Sequence, residues 1–213
     1  MIHNNIIEVT PPTVENEKKQ TPSIQDVRQK VIEIANTIYD LPKTANKGKP
    51  GNYLESITGI PTSSECLDCT DGEVKVFPLK KLRTGIFTPK ETIAVCMLNI
   101  DDLIKYEFYE SRCYKKLSNT LYIPYYRNAG IEDDKIMYMP PTLFNLETHN
   151  EIKEQLKNDY DTIREYFMKN NTLEGSSKLG VYLQNRTKGQ GGNAPKTRAF
   201  YLRTGFIRRW VLL

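Results

Sequence analysis

The spacing of apolar residues changes along the chain, and each change predicts a different element. Near the N-terminus apolar residues recur at intervals of three and four, as on one face of a helix, and Ser23 and Asp26 supply its start signals. A second amphipathic helix is predicted over residues 145–170. The apolar positions are Ile24, Val27, Val31, Ile34, Ile38 and Leu41 in the first helix, and Ile152, Leu156, Tyr160, Ile163 and Phe167 in the second.

Between these helices, short apolar blocks bounded by turn residues predict β-strands. The first two, separated by a Thr-Asp-Gly turn, are predicted to form a β-hairpin. The predicted strands cover residues 65–69, 73–79, 92–98, 119–126, 178–186 and 197–203, and a short helix is predicted over 52–58. Strands in the middle with helices at both ends favour an α/β fold with a central mixed β-sheet flanked by helices.

Length, composition and charge exclude only a few classes of protein. A length of 213 residues suits one domain, and residues 1–20 are polar enough to form a flexible arm. The net charge of +4 is compatible with a polyanionic partner but is common among unrelated proteins. No apolar run is long enough to span a membrane, and neither a signal peptide nor a disulfide scaffold is indicated. A reducing, cytoplasmic location is therefore expected.

One group of polar residues carries chemistry: Asp68, then Glu73 and Lys75 after four intervening residues. Side chains alternate along a strand, so Glu73 and Lys75 share a face while Val74 and Val76 pack on the other. Two neighbouring carboxylates repel each other unless a cation joins them, and Mg²⁺ accepts one or two carboxylates while keeping several waters. A metal-activated water attacks phosphodiesters, and a lysine stabilises the charge that develops.

The short acid-x-Lys element is weak by itself, because it occurs four times: Glu17–Lys19, Glu73–Lys75, Asp133–Lys135 and Glu151–Lys153. Only Glu73 lies on an apolar strand with an acid upstream, and a solvated strand remains the alternative. Cys66 and Cys69 form a C-x-x-C pair, but a zinc site needs a second pair and a thioredoxin-like site needs a helix. Free thiols are therefore expected.

Five blocks of sequence, in order, resemble the MutH family of DNA endonucleases, including related restriction enzymes of the MvaI type. They are KGKPGNYLESITG (47–59), LDCTDGEVKVFPL (67–79), KKLSNTLYIP (115–124), YLQNRTKG (182–189) and TRAFYLRTGF (197–206). MutH has six residues between its acids, whereas this chain and MvaI-type enzymes have four. That spacing favours Asp68 over the alternative, Asp71, and favours a restriction enzyme.

The resemblance implies a restriction-endonuclease-like fold and assigns further residues. Glu55 corresponds to an additional active-site acid and Lys116 to a functional lysine. The expected DNA-binding residues are Arg186, Lys188, Arg198, Tyr201 and Arg203. The glycine-rich segment 189–193 would let the backbone approach DNA closely. The resemblance also divides the domain (21–213) into a catalytic part, about 21–140, and a DNA-recognition part, about 141–213.

The implied activity is that of a type II restriction enzyme cutting double-stranded DNA with Mg²⁺, or Mn²⁺ in its place. The first alternative is a mismatch-repair endonuclease that nicks unmethylated DNA when a MutL-type partner activates it. The second alternative is a DNA-binding module without catalysis. The complete set of Asp68, Glu73 and Lys75 disfavours that last reading.

Overall fold

Helices and two β-sheets make up the part of the chain that the computed structural model describes, namely residues 20–40, 49–127, 135–173, 179–188 and 197–212. The α-helices are α1 (Ile24–Ile34), α2 (Lys49–Thr58), α3 (Ile100–Lys105), α4 (Arg112–Ser118), α5 (Asn150–Asn170) and α6 (Thr204–Phe206). The strands are β1 (Ile38–Asp40), β2 (Glu73–Lys81), β3 (Phe87–Pro89), β4 (Ile93–Leu98), β5 (Asn119–Tyr126), β6 (Lys135–Tyr138), β7 (Thr142–Asn145), β8 (Leu183–Lys188) and β9 (Thr197–Leu202). The predicted arm, except Gln20, and the glycine-rich segment lie outside the described residues.

The larger sheet has six strands in the order β1-β6-β5-β2-β3, with β7 also paired to β5. Strands β2 and β5 run parallel, whereas the other pairs are antiparallel. The predicted mixed sheet with flanking helices is therefore confirmed. Parallel neighbours require a crossover connection, and the chain between β2 and β5 supplies it through the small sheet and two short helices.

Each face of β2 packs into a different hydrophobic core. Val74 and Val76 pack with residues of α1 and α2, as the alternation of side chains predicts. On the opposite face, Phe77 and Leu79 pack into the larger core that contains the apolar side of α5. Glu73 and Lys75 precede Phe77 on that second face, so their charges lie at one end of an otherwise apolar surface.

Helix α1 begins as the sequence predicts and ends earlier. Ser23 and Asp26 form a reciprocal capping box, which satisfies backbone donors at the helix start. The prediction that Ile38 continues the helical face is wrong, because Asn36 takes a positive φ of 62° and its N–H bonds the carbonyl of Tyr138. Ile38 begins β1 and is exposed; Leu41 lies outside the described residues.

The predicted hairpin between residues 65–69 and β2 is also wrong. Residues 65–71 form successive bends, and their backbone donors bond outside a strand ladder. The Cys69 N–H donates to the Gly72 carbonyl and the Thr70 N–H to the Pro22 carbonyl. Strand β2 pairs instead with β5 and β3, so residues 65–71 approach it as a loop.

A second sheet, in the order β4-β9-β8, contains the strands predicted near the C-terminus. It draws β4 from the proposed catalytic part, while β7 of the proposed recognition part joins the larger sheet. The division at residue 140 stays a prediction. Among the described ranges, no helix is both long and apolar enough to cross a membrane.

Candidate active site

Glu73 is the buried centre of a group of charged side chains. It is 1% exposed, and its Oε1 accepts hydrogen bonds from the ammonium groups of Lys75 and Lys116. The Lys116 Nζ lies 2.6 Å from that oxygen. A buried carboxylate is stable only when paired, and two cations here compensate one negative charge. The structure therefore brings together three residues predicted for the site.

The parallel pairing of β2 with β5 explains how Lys116 reaches Glu73 across 43 positions of sequence. Glu73 lies opposite Thr120 at the start of both strands. Helix α4 runs directly into β5, and the Thr120 hydroxyl donates to the Lys116 carbonyl at 2.8 Å. The last turn of α4 is thereby fixed above the N-terminal end of β2, where Glu73 begins the strand.

Asp68 and Asp71 have different surroundings, which bears on the choice between them. Asp68 approaches the start of β2, where its Oδ2 accepts the Val74 N–H at 3.1 Å. Asp71 instead accepts the Ile24 N–H at 2.7 Å, in the first turn of α1. The Asp71 carboxylate thus anchors a helix N-terminus, and Asp68 is the acid positioned beside the Glu73 strand.

Glu55, from the middle of α2, completes the acidic side of the site. Burial raises the pKa of its carboxyl, the negative charge of Asp68 raises it further, and the positive charge of Lys75 partly offsets both effects. These couplings show that Glu55 shares an electrostatic environment with Asp68 and Lys75. Helix α2 places Glu55 there by burying the adjacent Leu54 in the core and ending at Gly59, whose φ is +82°.

The donor set fits a hard divalent cation. The second carboxylate oxygen of Glu73, Oε2, is buried and has no hydrogen-bond partner. Asp68 contributes a further carboxylate at the start of the same strand, where it accepts the Val74 N–H. The repulsion between Asp68 and Glu55 is of the kind that a cation relieves. Within the described ranges, no three His, Cys, Asp or Glu side chains are grouped to hold a metal by themselves. Mg²⁺ requires only one or two carboxylates, with water as its remaining ligands.

A cleft of about 540 Å³ adjoins the charged group. One wall is β2 from Lys75 to Pro78, and the opposite walls come from residues 91–94 and the β8–β9 strands. Arg186 lies over the Tyr201 ring, 5.6 Å from its centroid, and donates to Thr92 at 2.8 Å. Sequence reasoning missed Thr92 and Glu91, which no motif marks.

The remaining predicted DNA-binding residues are spread over different surfaces. Register pairs Arg186 with Ala199 and Gln184 with Tyr201, so Arg186 and Tyr201 share one face of the small sheet. Arg198 lies on the other face and lines a separate cavity of about 480 Å³. Three of the predicted DNA-binding residues are therefore divided between the two faces of the small sheet.

Lys188 and Arg203 sit at opposite ends of this sheet. Lys188 ends β8, exposed and on the same face as Arg186. The Arg203 guanidinium donates to the Leu179 carbonyl at 3.3 Å, and its backbone N–H donates to the Tyr182 carbonyl. Arg203 thus supports the segment that leads into β8.

A buried carboxylate on α5 holds the same segment, and sequence reasoning missed it. Asp159 is 2% exposed and accepts three successive backbone N–H groups at 2.7–2.8 Å. The donors are Val181, Tyr182 and Leu183. Its position, three residues after Leu156 on the apolar helix face, was a signal available in the sequence, because an acid on such a face requires partners.

The four cysteines are free thiols, as predicted. Cys69 is buried, and burial with the negative charge of Asp68 raises its pKa to about 12. Cys96 and Cys113, far apart in sequence, are buried in the same core, and the neighbouring Cys113 thiol lowers the pKa of Cys96. Only proximity in the fold reveals that second pair.

Comparison with known proteins agrees with this geometry. The family model described as "DNA mismatch repair enzyme MutH" matches residues 62–159, a range that contains Asp68, Glu73, Lys75 and Lys116. The type II restriction enzyme Sau3AI of Staphylococcus aureus is 27% identical over 155 residues, which cover 66% of this chain. Over part of its length, the chain is therefore similar to MutH and to a type II restriction enzyme. The match spans 32% of the length of Sau3AI.

A solved structure of the restriction endonuclease MvaI with its cognate DNA substrate is also similar. It shares 11% identity, with 88% of this chain and 94% of that chain covered, at a TM-score of 0.43. A likeness at this TM-score supports no inference. The range matched by the MutH family model includes Asp68, Glu73, Lys75 and Lys116.

Proposed function

We propose that the chain is a divalent-metal-dependent endonuclease that hydrolyses phosphodiester bonds in double-stranded DNA, in the manner of a type II restriction enzyme. The observation that carries this proposal is the environment of Glu73. One of its carboxylate oxygens is bound by two lysines, and the other is buried without a hydrogen-bond partner. Asp68 bonds the N–H of the next residue, Val74. The similarity to a type II restriction enzyme supports the same assignment.

Each side chain has a role that follows from its position. Asp68 and the Oε2 of Glu73 would hold Mg²⁺, or Mn²⁺ in its place. The bound ion would supply an acidified water and stabilise negative charge on the scissile phosphate. Lys75, which lines the cleft, would orient the attacking water and neutralise charge on the phosphate. Lys116 would hold the Glu73 carboxylate in place through their ion pair.

The bond changes are those of an in-line hydrolysis. The water oxygen forms a bond to phosphorus, while the bond from phosphorus to the 3′ oxygen breaks. That oxygen leaves with a proton, so the products carry a 5′-phosphate and a 3′-hydroxyl. Arg186 and Tyr201, on the far wall of the cleft, are the residues proposed to contact the DNA there.

Plasmid cleavage tests the proposal. The protein is incubated with plasmid methylated or unmethylated at GATC, in Mg²⁺, Mn²⁺ or EDTA, beside Lys75→Ala. The matched control is Lys153→Ala, which alters the same acid-x-Lys pattern on the exposed side of α5. Discrete metal-dependent fragments that Lys75→Ala abolishes and Lys153→Ala retains are expected. DNA that is bound but never cut would indicate a non-catalytic binding module.

A second candidate is the mismatch-repair nicking activity, because the matching family model is described by that function. Chemistry and site residues would be the same. Nicked circles without linear product, with stimulation by a MutL-type protein, would favour this candidate. Vigorous cleavage of both strands without a partner would exclude it.

A further inference from the structure

The segment that follows the candidate catalytic strand has an unusual charge distribution. Residues 74–90 contain five cations and no carboxylate, in a chain with 30 cationic and 26 acidic residues. The cations are Lys75, Lys80, Lys81, Arg83 and Lys90. Residues 80–86 are all exposed, including Leu82 and Ile86, whose exposed fractions are 43% and 64%. Aliphatic side chains between cations suit a surface that another molecule covers.

This segment is an ordered β-hairpin. Lys81 pairs with Phe87 at the end of β2 and β3. The Leu82 N–H donates to the Ile86 carbonyl at 2.8 Å, and the Gly85 N–H donates back to Leu82 at 2.9 Å. Gly85 has a φ of +85°, a conformation that glycine adopts without strain. The cations of this segment are therefore held on a preformed hairpin.

The hairpin continues the walls of the candidate DNA cleft. The cleft is lined by residues 75–78 and by residues 91–94, the two stretches that flank the hairpin in sequence. At about 3.3 Å per residue, Lys81 lies roughly 20 Å along β2 from Lys75. Along one DNA strand that distance corresponds to about six phosphates at roughly 3.4 Å each.

We propose that hairpin 80–86 is a phosphate clamp that binds the DNA duplex about six base pairs from the cleaved bond. Lys80, Lys81 and Arg83 contact backbone phosphates, and Leu82 and Ile86 pack against the sugars. The clamp rests on the proposed function, because it takes DNA to be the occupant of the cleft. It adds a contact surface remote from β8 and β9, where the family resemblance places DNA binding.

Salt-dependent binding tests the clamp without requiring cleavage. Fluorescence anisotropy in EDTA measures the affinity for a random duplex of about three helical turns. Lys80→Ala/Arg83→Ala is compared with Lys105→Ala/Lys169→Ala, which removes the same charge from exposed positions on α3 and α5. The hairpin variant is expected to bind about three- to tenfold more weakly at low salt. Its slope of log affinity against log salt should fall by about 1.8, or 0.9 per phosphate contact.

Equal slopes for the two double variants, with both folded by circular dichroism, would overturn the clamp. A hairpin variant that loses affinity for anionic lipid vesicles and keeps its affinity for DNA would also overturn it. The two proposals fail separately. If the protein never cuts plasmid but the hairpin variant binds DNA more weakly, the clamp is supported and the nuclease proposal is refuted. If the protein cuts plasmid but the hairpin variant binds DNA as tightly as the unchanged protein, the nuclease proposal is supported and the clamp is refuted.

Discussion

Replacing Asp159 by alanine removes the acceptor for three backbone N–H donors, of which that of Leu183 is buried and the other two are partly buried. The substitution tests how strongly α5 holds the entry to β8. Each hydrogen bond to a charged group is worth about 1.5–3 kcal/mol, and such contributions are not additive. The loop gains some solvation when the carboxylate is removed, so we expect a loss of about 3–5 kcal/mol in the free energy of unfolding. Asn in place of Asp retains one acceptor oxygen, and about half that loss is expected.

Urea unfolding measures this effect. With an m-value of about 2 kcal/mol per M, the midpoint should fall by roughly 1.5–2.5 M in the alanine variant. The matched control is Asp161→Ala on the same helix, whose carboxylate pairs with Lys157 at the surface. An exposed pair of this spacing contributes about 0.3–0.5 kcal/mol. Hydrogen exchange should also accelerate at residues 181–183 in the Asp159 variant. A loss below about 1 kcal/mol, or one equal to that of the control, would refute the reasoning.

Three further predictions concern other contacts. Gly180→Ala should destabilise the protein by about 2 kcal/mol or more, measured by urea unfolding, because φ is +81° and the new Cβ would clash with the Leu183 carbonyl oxygen and crowd the Asp159 side chain. A loss below about 0.5 kcal/mol would contradict this. Tyr114 donates a hydrogen bond that lowers the pKa of Glu147. That stability is present above the usual value of 4.5 and is lost as pH falls through the lowered pKa, so the deficit of Tyr114→Phe should disappear in acid. A deficit that persists at low pH would exclude the coupling. Arg186→Ala should lower the salt slope of DNA binding by about 0.9, while Arg198→Ala, on the other sheet face, should not. Equal effects would show that both faces contact DNA.

Local sequence patterns predicted the elements whose determinants are local. The bounds of β5 are those predicted, because a run of apolar and aromatic residues from 121 to 126 lies between polar residues on both sides. The capping box of α1 and the apolar face of α5 were likewise readable. Ile38 departs from its predicted helix because the turn at Asn36 depends on the carbonyl of Tyr138, a partner distant in sequence.

The sequence marked the residues of the candidate site but did not predict how the fold brings them together. Alternation along β2 placed Glu73 and Lys75 together, whereas the contact with Lys116 depends on the parallel pairing of β2 with β5, which has no local signal. Arg198 and Tyr201 are three positions apart in one strand, and an odd separation places two side chains on opposite faces. Their opposite orientation was therefore predictable from the sequence. Glu91 and Thr92 face the cleft only because the sheets meet there.

The position of the parallel pair β2–β5 determines which parts of this fold can vary in sequence and which cannot. Glu73 lies on β2 and Lys116 on the helix that runs into β5, and both strands are near the middle of the larger sheet. Arg186 lies on β8, at an outer edge of the other sheet. Substitutions on β8 alter the far wall of the cleft while β2 and β5 keep all their hydrogen-bonded neighbours. If the proposed function is correct, a lineage built on this plan is able to exchange one DNA recognition sequence for another while Glu73 and Lys116 stay in place.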